Sequence, residues 1–205
     1  SDEDIAHAEE AVRRLEGEAT ELARSLRTKR EESAPQLAER VTEILKNVGM
    51  PMAQFTITLR ECELTTSGGD IAEYLFSANE GVAPRPIEKI ASGGELSRVM
   101  LALKATLAKH LSLPTIIFDE IDTGVSGRTA FDMGDIISNL AEAMQIIDIT
   151  HSPQVASKGD RHFLVYKESS STHIRPLSDE ERVVEIAKML SGDSITEAAT
   201  IQARH

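Results

Sequence analysis

Three groups of residues in this chain have the types and spacing to do chemistry. Asp119 and Glu120 are adjacent carboxylates that follow a short apolar run, residues 115–118. In open parallel sheets, ligands sit beyond the carboxyl ends of strands. An acid pair there could hold a hydrated Mg²⁺ through one oxygen donor and polarise a water with the other. Two solvated acids at a strand end would read the same way. His151 follows a second apolar run, residues 145–150. If the two runs are neighbouring strands, its imidazole lies near Glu120 and could hydrogen-bond a terminal phosphate or an attacking water. Ser92, Gly93, Gly94 and Glu95 open a helix. The S-x-x-E spacing is that of a capping box, which on its own accounts for Ser92. The two glycines are less easily explained, since each disfavours a helix by about 1 kcal/mol relative to Ala. Their presence in a first turn suggests that an anion closely approaches the bare N–H groups.

One part of a nucleotide site is missing from the sequence. There is no G-x-x-x-x-G-K-[ST] loop to cradle phosphates, so the chain reads as half of such a site. The remaining histidines, His7, His110, His162, His173 and His205, have no mutual metal-ligand spacing and read as structural.

The elements that must carry these groups follow from periodicity. Leu96, Val99, Met100, Leu103 and Leu107 repeat at helical spacing until Pro114. Residues 115–118 show no alternation, the mark of a strand buried on both faces of a parallel sheet. Residues 127–143 form an amphipathic helix with Ala130, Met133, Ile137 and Leu140 inward, and residues 145–150 repeat the buried-strand signature. Strand, helix, strand predicts a right-handed parallel crossover. Two further strands, 161–167 and 172–175, and closing helices at 178–190 and 194–203 complete the chain. Upstream, Phe55, Ile57 and Leu59 alternate with Thr56 and Thr58 in a strand. A turn at 65–70 joins it to a second strand, 71–77, followed by a loop at 79–86.

The first 33 residues carry an arm. Ile5, Ala8, Val12, Leu15, Ala19, Leu22 and Leu26 recur in steps of three and four, the seam of a coiled coil, although an ordinary amphipathic surface helix shares such a stripe. Pro35 is expected to interrupt it, with Ser33 capping a fresh helix that runs through Leu37, Val41, Ile44, Leu45 and Val48 to Gly49. Residues 1–48 are thus an arm with a connecting helix, and 49–205 a globular lobe.

Composition narrows the function classes. The 205 residues carry a net charge of −12, and aromatic content is 3%. Strong binding of a nucleic-acid backbone by this chain alone is disfavoured, because that needs clustered Lys and Arg. The single Cys62 excludes an internal disulfide and a multi-Cys zinc site, as expected in a reducing cytosol. No apolar run approaches membrane-spanning length. A first residue that is Ser and falls inside a helical repeat reads as a piece of a longer protein.

The motifs also carry a resemblance. Residues 116–122, I-I-F-D-E-I-D, resemble a Walker B strand with its glutamate. Residues 91–98, A-S-G-G-E-L-S-R, resemble the signature motif of ABC-type ATPases, and residues 150–156, T-H-S-P-Q-V-A, the switch-histidine segment. In this order, over roughly residues 40–200 and behind a heptad arm, they are similar to the RecN family of DNA-repair ATPases, bacterial relatives of the SMC and Rad50 proteins.

The resemblance implies an α/β fold: the C-terminal lobe of an ABC-type P-loop ATPase head, a parallel sheet flanked by helices, preceded by the end of a coiled-coil arm. It implies ATP and Mg²⁺ as cofactors. Asp119 would help hold Mg²⁺, Glu120 would polarise the attacking water, and His151 would sense the γ-phosphate. The signature residues Ser92, Gly93, Gly94 and Glu95 would bind the γ-phosphate of ATP held by a second head, so that ATP drives head dimerisation. Asp122, Thr123, Gly124, Val125, Ser126 and Gly127 would form the D-loop crossing that interface. Many ABC proteins have Asp where Ser126 stands, whereas chains of this family commonly carry Ser-Gly there. The phosphate loop would come from an N-terminal lobe of the same full-length protein, leaving this stretch alone inactive. DNA would be met through the complete assembly, in a bacterial cytoplasm at the nucleoid and without a membrane. The competing readings are a structural SMC-type clamp component with little turnover and an ABC transporter nucleotide-binding subunit.

Overall fold

The computed structural model describes residues 2–110, 113–191 and 197–204. Its chain falls into two compact units. One comprises the described residues up to Ile44 together with Met52–Ala91, the other Leu45–Pro51 and the described residues from Ser92 onward.

The first unit is built on helix α1 (Asp2–Asn47) and an antiparallel sheet. The expected break at Pro35 does not occur: α1 runs straight through it. A proline inside a helix removes one N–H donor and disfavours it by about 3 kcal/mol. Pro35 lies on the exposed side, as does Glu31, whose freed carbonyl can be solvated. The long flanking helix on either side outweighs that penalty. The heptad residues Ile5, Val12, Leu15 and Leu22 all lie exposed along α1, as an unpaired seam should. Strand β1 (Gln54–Thr65) pairs with β2 (Gly68–Ser77), with Phe55 opposite Phe76 and Glu61 opposite Asp70. The connecting turn is tighter than the sequence suggested, since Thr65 already pairs with Gly68. The loop expected at 79–86 contains a two-residue strand, β3 (Arg85–Pro86), on the other edge of β2. Arg30 of α1 reaches into this sheet, donating to Asp70 at 2.6 Å and to the Ser67 carbonyl at 2.8 Å.

The second unit holds every candidate site residue. The end of α1 turns at Gly49, where the Met50 N–H reaches back to the Leu45 carbonyl at 3.1 Å. Helix α2 (Gly93–Leu107) buries Val99, Leu101 and Ala102, while Leu96, Met100, Leu103 and Leu107 are half-buried. The fully buried stripe thus shares Val99 with the predicted one but is otherwise shifted to Leu101 and Ala102. Strand β4 (Thr115–Asp119), helix α3 (Gly127–Ala141) and strand β5 (Gln145–Ile149) form the expected parallel crossover. Helix α3 buries Ala130, Met133, Ile137 and Leu140 and packs against α2, β5 and the short helix α4 (Pro153–Ala156). At Gly134 a side chain would stand 3.4 Å from the Gln154 carbonyl, so glycine lets α4 approach α3 closely. The hairpin β6 (Phe163–Glu168) and β7 (Ser171–Pro176) follows, then α5 (Asp179–Ser191) and α6 (Glu197–Arg204). The expected last helix began at residue 194; residues 194–196 lie outside the described residues.

The expected burial of both faces of the parallel strands is also corrected. Ile116 and Phe118 of β4 are buried, but the opposite face of the β4–β5 sheet is open: Ile117 is 63% exposed, Ile147 45% and Ile149 50%. Parallel sheets are stable when both faces are covered, and among the described residues only one covering layer is present. Among the described residues no helix is long and apolar enough to cross a membrane.

Candidate active site

The register of β4 and β5 assembles the site. Asp119 stands opposite Ile149, and the pairing continues one residue further, with the Glu120 N–H donating to the Ile149 carbonyl at 2.9 Å. Two residues past Ile149 is His151. Asp119, Glu120 and His151 therefore leave the carboxyl ends of two adjacent parallel strands, and all three are exposed. This is the position at which open α/β sheets take ligands.

Glu120 has a φ of +49°, a left-handed conformation that disfavours a non-glycine residue by about 1–2 kcal/mol. Its effect is to break the alternation of the strand. Asp119 and Glu120 both face solvent, whereas Ile121 and Asp122 both turn inward. The Glu120 carbonyl is tied by the Thr123 hydroxyl at 2.9 Å and the Thr123 N–H at 3.3 Å. A turn then closes from the Val125 N–H to the Asp122 carbonyl at 2.9 Å, with Gly124 at φ +77°, a conformation glycine adopts without steric penalty. Ser126 precedes α3 as its N-terminal flanking residue, and Gly127 begins it.

Ser92 caps α2, its hydroxyl accepting from the Glu95 N–H at 3.4 Å. At Gly93 no described atom lies within 4 Å of where a side chain would start. Its φ does not demand glycine either, so the small residue leaves open space in front of the helix N-terminus. At Gly94 a side chain would meet Arg98 Nη2 at 3.9 Å and the Thr123 carbonyl at 4.0 Å. The first turn of α2 therefore lies beside the loop that follows Glu120. Arg98, which the motif reading passed over, is half-buried. Burial lowers its pKa while Glu95 opposes the shift, and its Nε has no hydrogen-bond partner among the described residues.

The segment around His151 is held more tightly than its sequence suggested. Asp122 is 2% exposed, and its Oδ2 accepts from the Thr150 hydroxyl and from the Ser152 N–H at 3.2 Å. Thr150 Oγ1 accepts from the same N–H at 2.9 Å. Ser152 caps α4, and Arg182 from α5 donates to the carbonyls of Ala156, Ser157 and Gly159 at its other end. Asp148 lies in β5 on the same side of the strand as Thr150. Burial, and secondarily the Asp122 charge, push its pKa up to about 7. A signal for Asp122, Thr150 and Ser152 was present, in an acid after an apolar residue and two hydroxyls flanking a histidine, but none of it distinguishes inward from outward.

Among the described residues, no group of three or more His, Cys, Asp or Glu side chains could hold a metal ion by itself. Of the remaining histidines, His173 stacks on Tyr166 with centroids 5.5 Å apart, burial lowers the pKa of His162, and His7 and His110 are exposed. His205 lies outside the described residues.

No protein-family model matches the chain. Among curated proteins it is 37% identical over 211 residues to the DNA repair protein RecN of Haemophilus influenzae, covering 98% of this chain and 38% of that one. It is 43% identical to RecN of Rickettsia conorii, covering 87% of this chain and 34% of that one. With RecN of Treponema pallidum it shares 40% identity, covering 91% and 34%. The fold is that of SMC heads. The Smc head domain with coiled coil and joint from Pyrococcus yayanosii superposes with a TM-score of 0.66 at 20% identity, over 94% of this chain and 35% of that one. That from Pyrococcus furiosus, solved with an extended coiled coil and bound to the C-terminal domain of ScpA, gives 0.61 at 22%, over 92% and 45%. The chain spans about a third of the length of the curated relatives it matches. Over that span, the chain belongs to the RecN family.

Proposed function

We propose that this chain is one lobe of an ATP-hydrolysing DNA-repair head, working on a nucleotide whose phosphate loop is supplied by the rest of its polypeptide. The observation that carries this reading is the parallel pairing of β4 with β5, which sets Asp119, Glu120 and His151 at one exposed sheet end. Asp119 offers a hard oxygen to Mg²⁺, which typically takes one or two carboxylates and fills its shell with substrate phosphates and water. A Mg²⁺ there would neutralise charge on the phosphates. Glu120 orients and polarises the attacking water, and His151 contacts the γ-phosphate. Ser92, Gly93, Gly94 and Glu95 serve a second head, the open space before Gly93 admitting that head's nucleotide at the helix N-terminus. Residues 122–127 form the loop between the two sites.

The open Ile117, Ile147 and Ile149 face supports a second layer contributed by the rest of the full-length protein, of which relatives have about two-thirds beyond the span matched here. The exposed α1 seam supports pairing with a second arm helix from the same source. DNA would be engaged by the complete dimer in the bacterial cytoplasm, since a chain at −12 offers little to a phosphate backbone.

The test is reconstitution. The purified chain alone should not hydrolyse ATP, and mixing it with the separately purified remainder of the polypeptide should restore turnover. Hydrolysis by this chain alone, or a mixture that stays inactive although the two parts associate and bind ATP, would overturn the half-site reading.

A further inference from the structure

Asp122 is a carboxylate with almost no access to water. Burying such a charge is unfavourable unless hydrogen bonds replace its hydration. Here they replace it on one side only: Oδ2 takes the Thr150 hydroxyl and the Ser152 N–H, whereas Oδ1 is buried with no partner. An asparagine could accept the same two bonds with less desolvation. What the charge adds is strength, because hydrogen bonds to an ionised acceptor are roughly twice as strong as neutral ones.

The two donors flank a single residue. Thr150 and Ser152 bracket His151, whose own side chain is exposed. Ser152 is further fixed as the cap of α4, and Thr150 Oγ1 closes a third bond to the Ser152 N–H at 2.9 Å. The residues on both sides of His151 are therefore tied to one anion, Thr150 through its side-chain hydroxyl and Ser152 through its backbone N–H, and that anion sits two residues after Glu120.

We propose that Asp122 is a positioning residue that clamps the His151 segment to the loop after Glu120, so that the acid pair and the histidine keep one fixed geometry. The proposal rests on the ATPase reading of the site. Asp122 is buried and acts through Thr150 and Ser152 on the placement of the imidazole.

The test uses the full-length protein and three changes at two positions. Thr150→Val removes the hydroxyl donor, Thr150→Ser keeps it, and Asp122→Asn removes the charge. Misplacing a catalytic group by about 1 Å can lower turnover by about a hundredfold. Thr150→Val is accordingly expected to lower kcat about tenfold or more, with KM for ATP changed less than about twofold. Thr150→Ser should restore most of kcat. In a His151→Ala background, Thr150→Val should lower kcat by less than a further twofold or so, as for residues acting as one unit. Wild-type kcat in Thr150→Val, failure of Thr150→Ser to rescue, or full additivity with His151→Ala would each overturn the clamp. Should Asp122→Asn not fold, the Thr150 pair still decides. If Glu120→Gln and His151→Ala themselves keep full turnover, the ATPase reading fails; if they lose it while Thr150→Val does not, only the clamp fails.

Discussion

The Glu120 N–H donates to the Ile149 carbonyl at 2.9 Å while Glu120 itself holds a φ of +49°. The strand pairing is thus carried one residue past the last regular position, into a conformation the side chain disfavours. Strain of this kind collects where geometry serves function.

Stability and activity should therefore part at Glu120. Glu120→Gly relieves a left-handed penalty of about 1–2 kcal/mol and adds unfolded-chain entropy of up to about 1 kcal/mol. A net gain of about 0.5–1 kcal/mol in urea denaturation is expected, together with loss of ATP hydrolysis in the full-length protein. A clear loss of stability would show that the conformation is not strained.

Gly93 gives a second separation. A methyl group there meets no described atom, so Gly93→Ala should leave stability unchanged or raise it by up to about 1 kcal/mol. The same methyl would occupy the space in front of the helix N-terminus. ATP-driven dimerisation of the full-length protein, followed by light scattering, should fall sharply, and Ser92→Arg should abolish it while ATP binding by the monomer survives. Normal dimerisation in both variants would leave these residues only a capping role.

Asp148 makes stability depend on pH. Its pKa is raised from 3.8 to about 7 in the folded protein, chiefly by burial. Between these values the folded form keeps a proton that the unfolded chain has lost. Folding then takes up a proton, and stability falls as pH rises through this window, with no contribution to the slope below or above it. At about 1.4 kcal/mol per unit, the penalty above pH 7 is of the order of 2–4 kcal/mol. Asp148→Asn should flatten the profile and be the more stable protein at pH 8 by chemical denaturation. An unchanged slope would show that Asp148 is ionised throughout.

In the first unit, Arg30 and Asp70 tie α1 to the β1–β2 hairpin at 2.6 Å, with the Asp70 side chain fully buried. Arg30→Ala leaves that carboxylate without its cation, which typically destabilises by about 3–5 kcal/mol. Asp70→Asn in the same background should recover a large part of the loss. Equal stability of the single and double variants would mean the pair is not coupled.

Much of the site was legible because its parts are sequence-local. An acid pair after Ile116–Phe118 and a histidine after Ile146–Ile149 need only adjacent parallel strands to converge, and the intervening helical pattern supplied the crossover. The helix through Pro35 was not legible, since the penalty of one proline is local while the stability of a 46-residue helix is collective. The open isoleucine face was misread for a different reason. Apolar runs report a preference for burial, and among the described residues no layer covers this face. Asp122 was read as the start of the interface loop, but its burial was not legible, because in D-E-I-D the three acids look alike and the left-handed turn at Glu120 that precedes the inward-facing Ile121 and Asp122 has no signature in the sequence.

Hydrolysis by the full-length protein carrying Glu120→Gln is the most direct measurement of the central claim, that this lobe supplies the water-polarising carboxylate of an ATPase. Removing such a group typically lowers turnover by about 10²–10⁴-fold. Single-turnover experiments should show ATP bound and heads dimerised, with hydrolysis reduced at least a hundredfold or so. Hydrolysis at the wild-type rate in that variant would contradict the account.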